Sequence, residues 1–233
     1  MSRIRFTFTR EVALAYLSHL DMLRLFLRAL RRSGLPLEYS RGYNPHPRFT
    51  LALPLPLGVT AGEEIGEVFF SEKVEAGFFI EELTSQLPGG IKLTGAFSVG
   101  AEGPSIAALV RAALYRAKLK SISTVHGNAR LVKESLEKML LKEEIIMKRT
   151  NKKKKIVSTN VRPFIKEAKM FYEQDKNLEL MLELEAGSQG GISPVFFLEQ
   201  LQKEAPSEIP GVHDWHIHRE KIIFIDNPLP AFD

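Results

Sequence analysis

The chain has 233 residues, 44% of them apolar, and a net charge of +4 from 32 Lys and Arg against 28 Asp and Glu. That length can bury one large core or two of roughly 100 residues each. It contains no cysteine, which excludes a disulfide framework, a thiolate nucleophile, a zinc-thiolate site or an iron–sulfur cluster held by this chain. The opening "MSRIRFTFTREVALAYLSHLD" has no apolar run long enough for a signal-peptide core, and nowhere do about 18 apolar residues pass without a charge or a breaker, so a cytoplasmic chain with no membrane contact is expected.

In chain order, "IRFTFT" puts Ile4, Phe6 and Phe8 on one face and Arg3, Arg5, Thr7 and Thr9 on the other, the period of a strand. Ser18 followed by Asp21 opens a capped helix whose Leu20, Leu23, Leu27 and Leu30 share a face, stopped by Gly34 and Pro36. "FTLALPLPLG" and "EIGEVFFSE" read as two strands, with Pro54 and Pro56 demoting the end of the first to a sheet edge. "AGFFIEELTSQLPGG" gives a short helix and "IKLTGAFSV" a last strand. The order is βαββαβ, the ferredoxin-like unit, over residues 1–99, and "GAEGPS" looks like a linker. Residues 106–233 offer a second unit of the same kind: "AALYRAKLK" as strand, "NARLVKESLEKMLLKEE" as helix, and "EIIMKRT" and "KKIVSTNV" as a hairpin around "NKKKK". "NLELMLELEA" follows as strand, then a Ser193-capped helix through Gln202 and "WHIHREKIIFI" as strand. "RPFIKEAKMFYE" is ambiguous between a helical turn and an extra strand. The expected class is therefore α+β, two tandem ferredoxin-like units with antiparallel sheets.

Charge is local rather than uniform. Residues 1–50 hold nine Arg and three acids, 51–100 two bases and seven acids, 111–170 seventeen bases and five acids, and 171–233 four bases and twelve acids. A polyanion would meet two basic surfaces on an otherwise acidic body, and the first is all Arg, whose planar fork suits phosphate and stacks on bases. The plainer reading is charge balance within a folded protein.

Arg24, Arg28 and Arg31 follow one another at helical steps and form a basic ridge, with Arg32 a neighbour. Ser18, His19 and Asp21 stand at the helix N-terminus, where unpaired N–H groups can seat a phosphate, or where Ser18 and Asp21 merely cap the helix and Asp21 pairs with Arg24. The connection "YSRGYNPHPRF" is stiffened by Pro45 and Pro47 and leaves Arg41, Tyr43, Asn44, His46 and Arg48 to project. Rings that stack on bases, amide and guanidinium donors and an imidazole suit single-stranded RNA, although a rigid loop satisfying neighbouring backbone explains them too. His46 and His19 are the candidate general acid or base, and His19, Asp21, Arg24, Asn44 and His46 are expected to converge.

The stretch from "YLSHLDMLRLFLRALRRSGLPLEYSRGYNPHPRF" through the Leu-Pro-Leu-Gly run and its following Glu resembles the hallmark region of the radical-SAM-linked proteins. That bacterial family has no characterised function and occurs alone or fused behind a radical S-adenosylmethionine domain. The resemblance covers most of the chain and weakens after about residue 100. It implies a radical-SAM partner and, beyond that, RNA metabolism, with this cysteine-free chain the accessory half. A second analogy, to CRISPR repeat-processing endoribonucleases, is one of paired ferredoxin-like units and a catalytic histidine. Their glycine-rich loop has only a loose counterpart in "GSQGGISP", where Gly187, Gly190 and Gly191 precede Ser193.

His216 and His218 fall on one strand face with Asp214 in register, a pattern open to a metal but explained by a polar strand face, and no metal or other cofactor is expected. "TNKKKK" reads as a solvated turn that adds salt-sensitive phosphate affinity. There is no P-loop, G-x-G-x-x-G, H-E-x-x-H or nucleophile elbow. The expected function is a non-catalytic RNA-binding accessory, against a metal-independent endoribonuclease and a module that docks a radical-SAM subunit.

Overall fold

The structure, a computed structural model, describes residues 2–119, 129–150, 155–172, 178–187, 190–207, 209–226 and 228–229. The chain forms two compact units, Met1–Arg111 with Arg219–Asp233, and Ala112–His218.

The first unit runs β1 (Ser2–Arg10), α1 (His19–Arg32), β2 (Phe49–Leu51), β3 (Thr60–Phe70), α2 (Ala76–Thr84) and β4 (Ile91–Val99). Its sheet order is β4-β1-β3-β2 with antiparallel pairs throughout, the ferredoxin-like arrangement that the βαββαβ pattern predicts. The alternation of β1 sets the core: Ile4, Phe6 and Phe8 are buried with Phe26 of α1 and Phe79 of α2, and the rings of Phe8 and Phe26 meet edge to face at 4.8 Å. Phe6 pairs across the sheet with Gly66, and a Cβ there would overlap its ring, which is why glycine stands in the middle of β3. Helix α1 is rotated from the expected face: Met22, Phe26, Ala29 and Leu30 are buried, while Leu20 is exposed. The aromatic ring of Phe26 claims the centre, and a leucine pattern alone does not reveal that. β2 stops at Leu51, before Pro54 and Pro56.

The polar face of β1 is buried too. Arg5 Nε donates to Glu67 at 2.8 Å, and Arg5 also reaches the carbonyls of Pro104 and Pro228. Arg3 donates to the Glu102 carbonyl at 2.7 Å. The expected linker "GAEGPS" is thus fastened to the first unit by two arginines, and three of the nine Arg in the first block, Arg3, Arg5 and Arg10, are interior residues.

The second unit holds β5 (Val110–Leu119), α3 (Ala129–Leu140), β6 (Ile146–Thr150), β7 (Ile156–Asn160), β8 (Ile165–Tyr172), β9 (Leu178–Glu185), α4 (Pro194–Gln202) and the start of β10 (Trp215–Phe224). Its order, β10-β5-β9-β8, repeats the ferredoxin-like plan. The ambiguous "RPFIKEAKMFYE" is a short turn at Arg162–Phe164 followed by strand β8, which supplies the second core strand. The hairpin expected from "EIIMKRT" and "KKIVSTNV" is present as β6–β7, and it forms a separate two-stranded sheet inserted between α3 and β8. The expected turn at residues 151–154 lies outside the described residues.

Candidate nucleic-acid interface

Helix α1 begins as its sequence dictates. Ser18 Oγ accepts the Asp21 backbone N–H at 3.2 Å and donates to the Asp21 carboxylate at 2.6 Å, and Arg24 pairs with Asp21 at 3.2 Å. The hydrogen bond from Ser18, then the Arg24 guanidinium, hold the Asp21 carboxyl below its usual range. Ser18 and Asp21 therefore cap the helix, and their polar atoms are engaged with one another and with Arg24.

One step further along α1, Arg24, Arg28 and Arg32 line one wall of a groove of about 710 Å³. They follow at i, i+4 and i+8, so their stems stand roughly 6 Å apart along the axis. The facing wall is the turn after α2, Ser85–Pro88, and Leu17 and Leu25 add apolar surface between. Arg32 is anchored there by hydrogen bonds to the Gln86 side chain at 3.2 Å and carbonyl at 2.8 Å. The residue at this wall is Arg32 rather than Arg31; Arg31 is exposed and outside the groove lining. Among the described residues neither Arg28 nor Arg31 has an ion-pair partner, so the ridge keeps uncompensated charge.

The "YSRGYNPHPRF" segment is a hairpin arm rather than an open loop. Tyr39 bridges to Pro47, the Ser40 N–H donates to the His46 carbonyl at 2.8 Å and the Arg48 N–H to the Glu38 carbonyl at 2.8 Å. Gly42, at φ 148°, turns its tip. Arg41, Tyr43, Asn44 and His46 are exposed there, and Tyr43 is fully so. His46 Nδ1 lies 3.0 Å from Ser40 Oγ and 3.4 Å from the Asn44 carbonyl. Arg48 serves the arm's root: it pairs with Glu38 at 2.6 Å and stacks over the Phe69 ring at 3.8 Å.

The arm joins the end of β3, where Leu37 bridges to Phe70. His19 instead lines a small cleft with Arg10, Leu53, Leu55 and Glu64, five residues back along β3 from Phe69, or roughly 16 Å. The expected convergence does not occur: Ser18, Asp21 and Arg24 form one group, Asn44 and His46 another, and His19 turns toward the sheet. The fold explains this, since the arm leaves the C-terminal end of α1 and continues away from its N-terminus.

The side chains around His19 are the ones sequence reasoning missed. Arg10 caps the carbonyls of Leu14, Ala15 and Leu17 at 2.5 to 3.0 Å and so shapes the turn that delivers Ser18. Arg219, fully buried, forms a bidentate pair with Glu64 and donates to the carbonyls of Leu53 at 3.0 Å and Pro54 at 3.1 Å, fixing the Leu-Pro-Leu run. Burial, then the positive charges of Arg219 and Arg10, push the His19 imidazole below its usual value. The acids Glu63 and Glu64 in the "LGVTAGEE" stretch were the available signal; the partner of Glu64, 155 residues away, was not.

In the second unit, Gly191 has φ 155°, and a Cβ there would overlap the Glu185 carbonyl, so this glycine serves the β9 to α4 connection, where Ser193 caps the helix through the Phe196 N–H at 3.1 Å. His216 and His218 share the less buried face of β10 as expected, and among the described residues no group of three or more His, Asp and Glu is arranged to hold a metal. Among those residues no helix is long and apolar enough to cross a membrane.

Residues 3–194 match a family described as "Uncharacterized protein conserved in bacteria (DUF2344)". No curated protein matches the chain. Among solved structures, it is similar to one described as "putative glycine cleavage system transcriptional repressor", at 10% identity over 97% of this chain and 98% of that one, with a TM-score of 0.23.

Proposed function

We propose that this chain, which belongs to the DUF2344 family of proteins conserved in bacteria, is a non-catalytic RNA-binding accessory to a radical-SAM RNA-modifying enzyme. The observation that carries the reading is the groove walled by Arg24, Arg28 and Arg32. Three guanidiniums in a row suit successive phosphates of an extended strand, and the apolar surface of Leu17, Leu25, Leu87 and Pro88 suits a base. The arm that presents Tyr43 and Asn44 adds a stacking ring and an amide. Fluorescence anisotropy with labelled oligouridine tests it. Binding is expected to be micromolar or weaker and to fall with salt, and Arg24→Ala with Arg28→Ala should flatten the slope of log K against log salt by about 1.4, two contacts at ~0.7 each. Salt-insensitive binding, or none, overturns it.

A docking role has its own observation. Val12, Tyr16, Leu20 and Leu57 are all exposed, and Tyr16 lies within 3.6 Å of where a Cβ on Gly58 would stand, so two of the chain's surface apolar segments adjoin. If this surface holds the radical-SAM enzyme, Leu20→Glu should abolish co-purification of the two while leaving oligouridine binding unchanged.

A further inference from the structure

Among the described elements of the second unit, the β6–β7 ribbon is an addition that the ferredoxin-like plan does not require. The plan is complete with β5, α3, β8, β9, α4 and β10, and the ribbon is an addition between α3 and β8. A lone two-stranded hairpin has little stability of its own, so a chain that keeps one must hold it from below. The base is built for that. Ile145, Met147 and Val161 are buried, and the Val161 N–H donates to the Ile145 carbonyl at 2.8 Å. Asn160 Oδ1 accepts from the backbone of both Ile145 and Arg162, at 3.0 and 3.1 Å. Arg162 in turn caps the Leu140 carbonyl at the end of α3.

Above this clasp the ribbon is exposed to solvent. Ile146, Lys148, Arg149, Thr150, Lys155, Ile156, Val157, Ser158 and Thr159 are exposed on both faces. These strands carry bases and no acid. Elsewhere in the same unit the basic block is neutralised: Arg130 pairs with Glu134, Lys133 with Glu137, Lys166 with Glu185 and Lys169 with Glu167. Among the described residues Lys148 and Arg149 have no such partner.

We infer that the β6–β7 ribbon is a second nucleic-acid contact, one that grips the phosphate backbone of a paired RNA stem. It rests on the reading of the chain as RNA-binding. The choice of a stem follows from what the ribbon lacks: it bears no aromatic ring on which unpaired bases stack, whereas Lys148 and Arg149, consecutive in β6 and so on opposite faces, can reach phosphates on the two sides of a groove into which the ribbon fits. The β-branched Ile156 and Val157 keep the ribbon extended and supply apolar contact to sugars.

The test uses the full chain, an RNA hairpin with a long stem, oligouridine, and vesicles containing phosphatidylserine. Lys148→Ala with Arg149→Ala should weaken stem binding several-fold and flatten its salt slope by about 1.8, two contacts at ~0.9 each, while leaving oligouridine binding and thermal stability unchanged. Lys148→Glu with Arg149→Glu should deepen the loss. Unchanged stem binding in both variants overturns the ribbon's role while leaving the groove's intact. Equal losses for stem and oligouridine overturn the assignment to paired RNA. Binding to the vesicles through these two residues, with none to the stem, makes the ribbon a membrane contact instead, and a wild-type chain that binds neither RNA removes both readings together.

Discussion

Replacing Arg219 by Ala tests the polar centre under the His19 turn. The guanidinium is wholly buried and donates to both oxygens of Glu64 and to the carbonyls of Leu53 and Pro54. Its loss leaves Glu64, itself only 5% exposed, as an unpaired buried carboxylate, and two carbonyls without donors. Removing one partner of a buried pair costs about 3–5 kcal/mol, and at roughly 3 °C per kcal/mol for a chain of this size the melting temperature should fall by about 10–15 °C. Removing both charges, as Arg219→Met with Glu64→Leu, should recover most of that loss, because two apolar side chains of similar volume leave no charge stranded. A control is Arg116→Ala, whose contact with Glu179 at 3.7 Å is partly exposed and should change stability by less than about 1 kcal/mol. Differential scanning calorimetry on the four proteins decides it. If Arg219→Ala melts within a few degrees of Arg116→Ala, or if the double variant is worse than the single, the pair is not the fastening described above.

Three further outcomes follow from the geometry. Gly66→Ala should cost about 1–3 kcal/mol in urea unfolding, through overlap with the Phe6 ring, and Phe6→Leu on the same chain should return part of it. Because His19 is held below its usual value, the unfolded chain takes up that proton first as pH falls through about 6.5, so the contribution is full above that pH and is lost below it; His19→Gln should flatten the decline in melting temperature between neutral and acid pH. His46→Ala removes exposed contacts to Ser40 and to the Asn44 carbonyl and should cost less than about 1 kcal/mol, with oligouridine affinity rather than melting temperature reporting the change.

Most of the first unit can be read from local pattern, because its elements are specified by neighbours in sequence. The alternation of Ile4, Phe6 and Phe8, the Ser18 and Asp21 cap, and the stop at Pro54 each act within a few residues. The second unit shows where that logic ends. "EIIMKRT" and "KKIVSTNV" have the β-branched content of a core hairpin, and nothing in the strands themselves says that the sheet is already filled by "IKEAKMFY" and "LELMLELE". Only the strand order distinguishes an inserted ribbon from a core pair. The site divides the same way. Arg24 and Arg28 are legible from helical spacing, and the exposure of Tyr43 and Asn44 from the glycine and prolines around them. Arg3, Arg5 and Arg10 count in the same basic block but are interior, since their partners come from Glu67, from Pro104 and from the carbonyls of the turn before α1. Arg219 with Glu64 joins residues 155 positions apart, a separation at which no periodicity is informative.

That separation also matters on the ribosome. Arg219 is made 155 residues after Glu64, and at roughly 5–20 residues per second the carboxylate waits about 8–30 s for its partner. Through that interval the first unit has its helices and its four strands yet carries an open polar gap beside Leu53 and Pro54, and Arg5 lacks the Pro228 carbonyl. A nascent chain stalled or cleaved before residue 219 is therefore left with a destabilised first unit, a ready substrate for proteases. Synthesis of the segment holding Arg219 and Pro228 is the step that locks the first unit, so the groove on α1 reaches full stability only once that segment has been made.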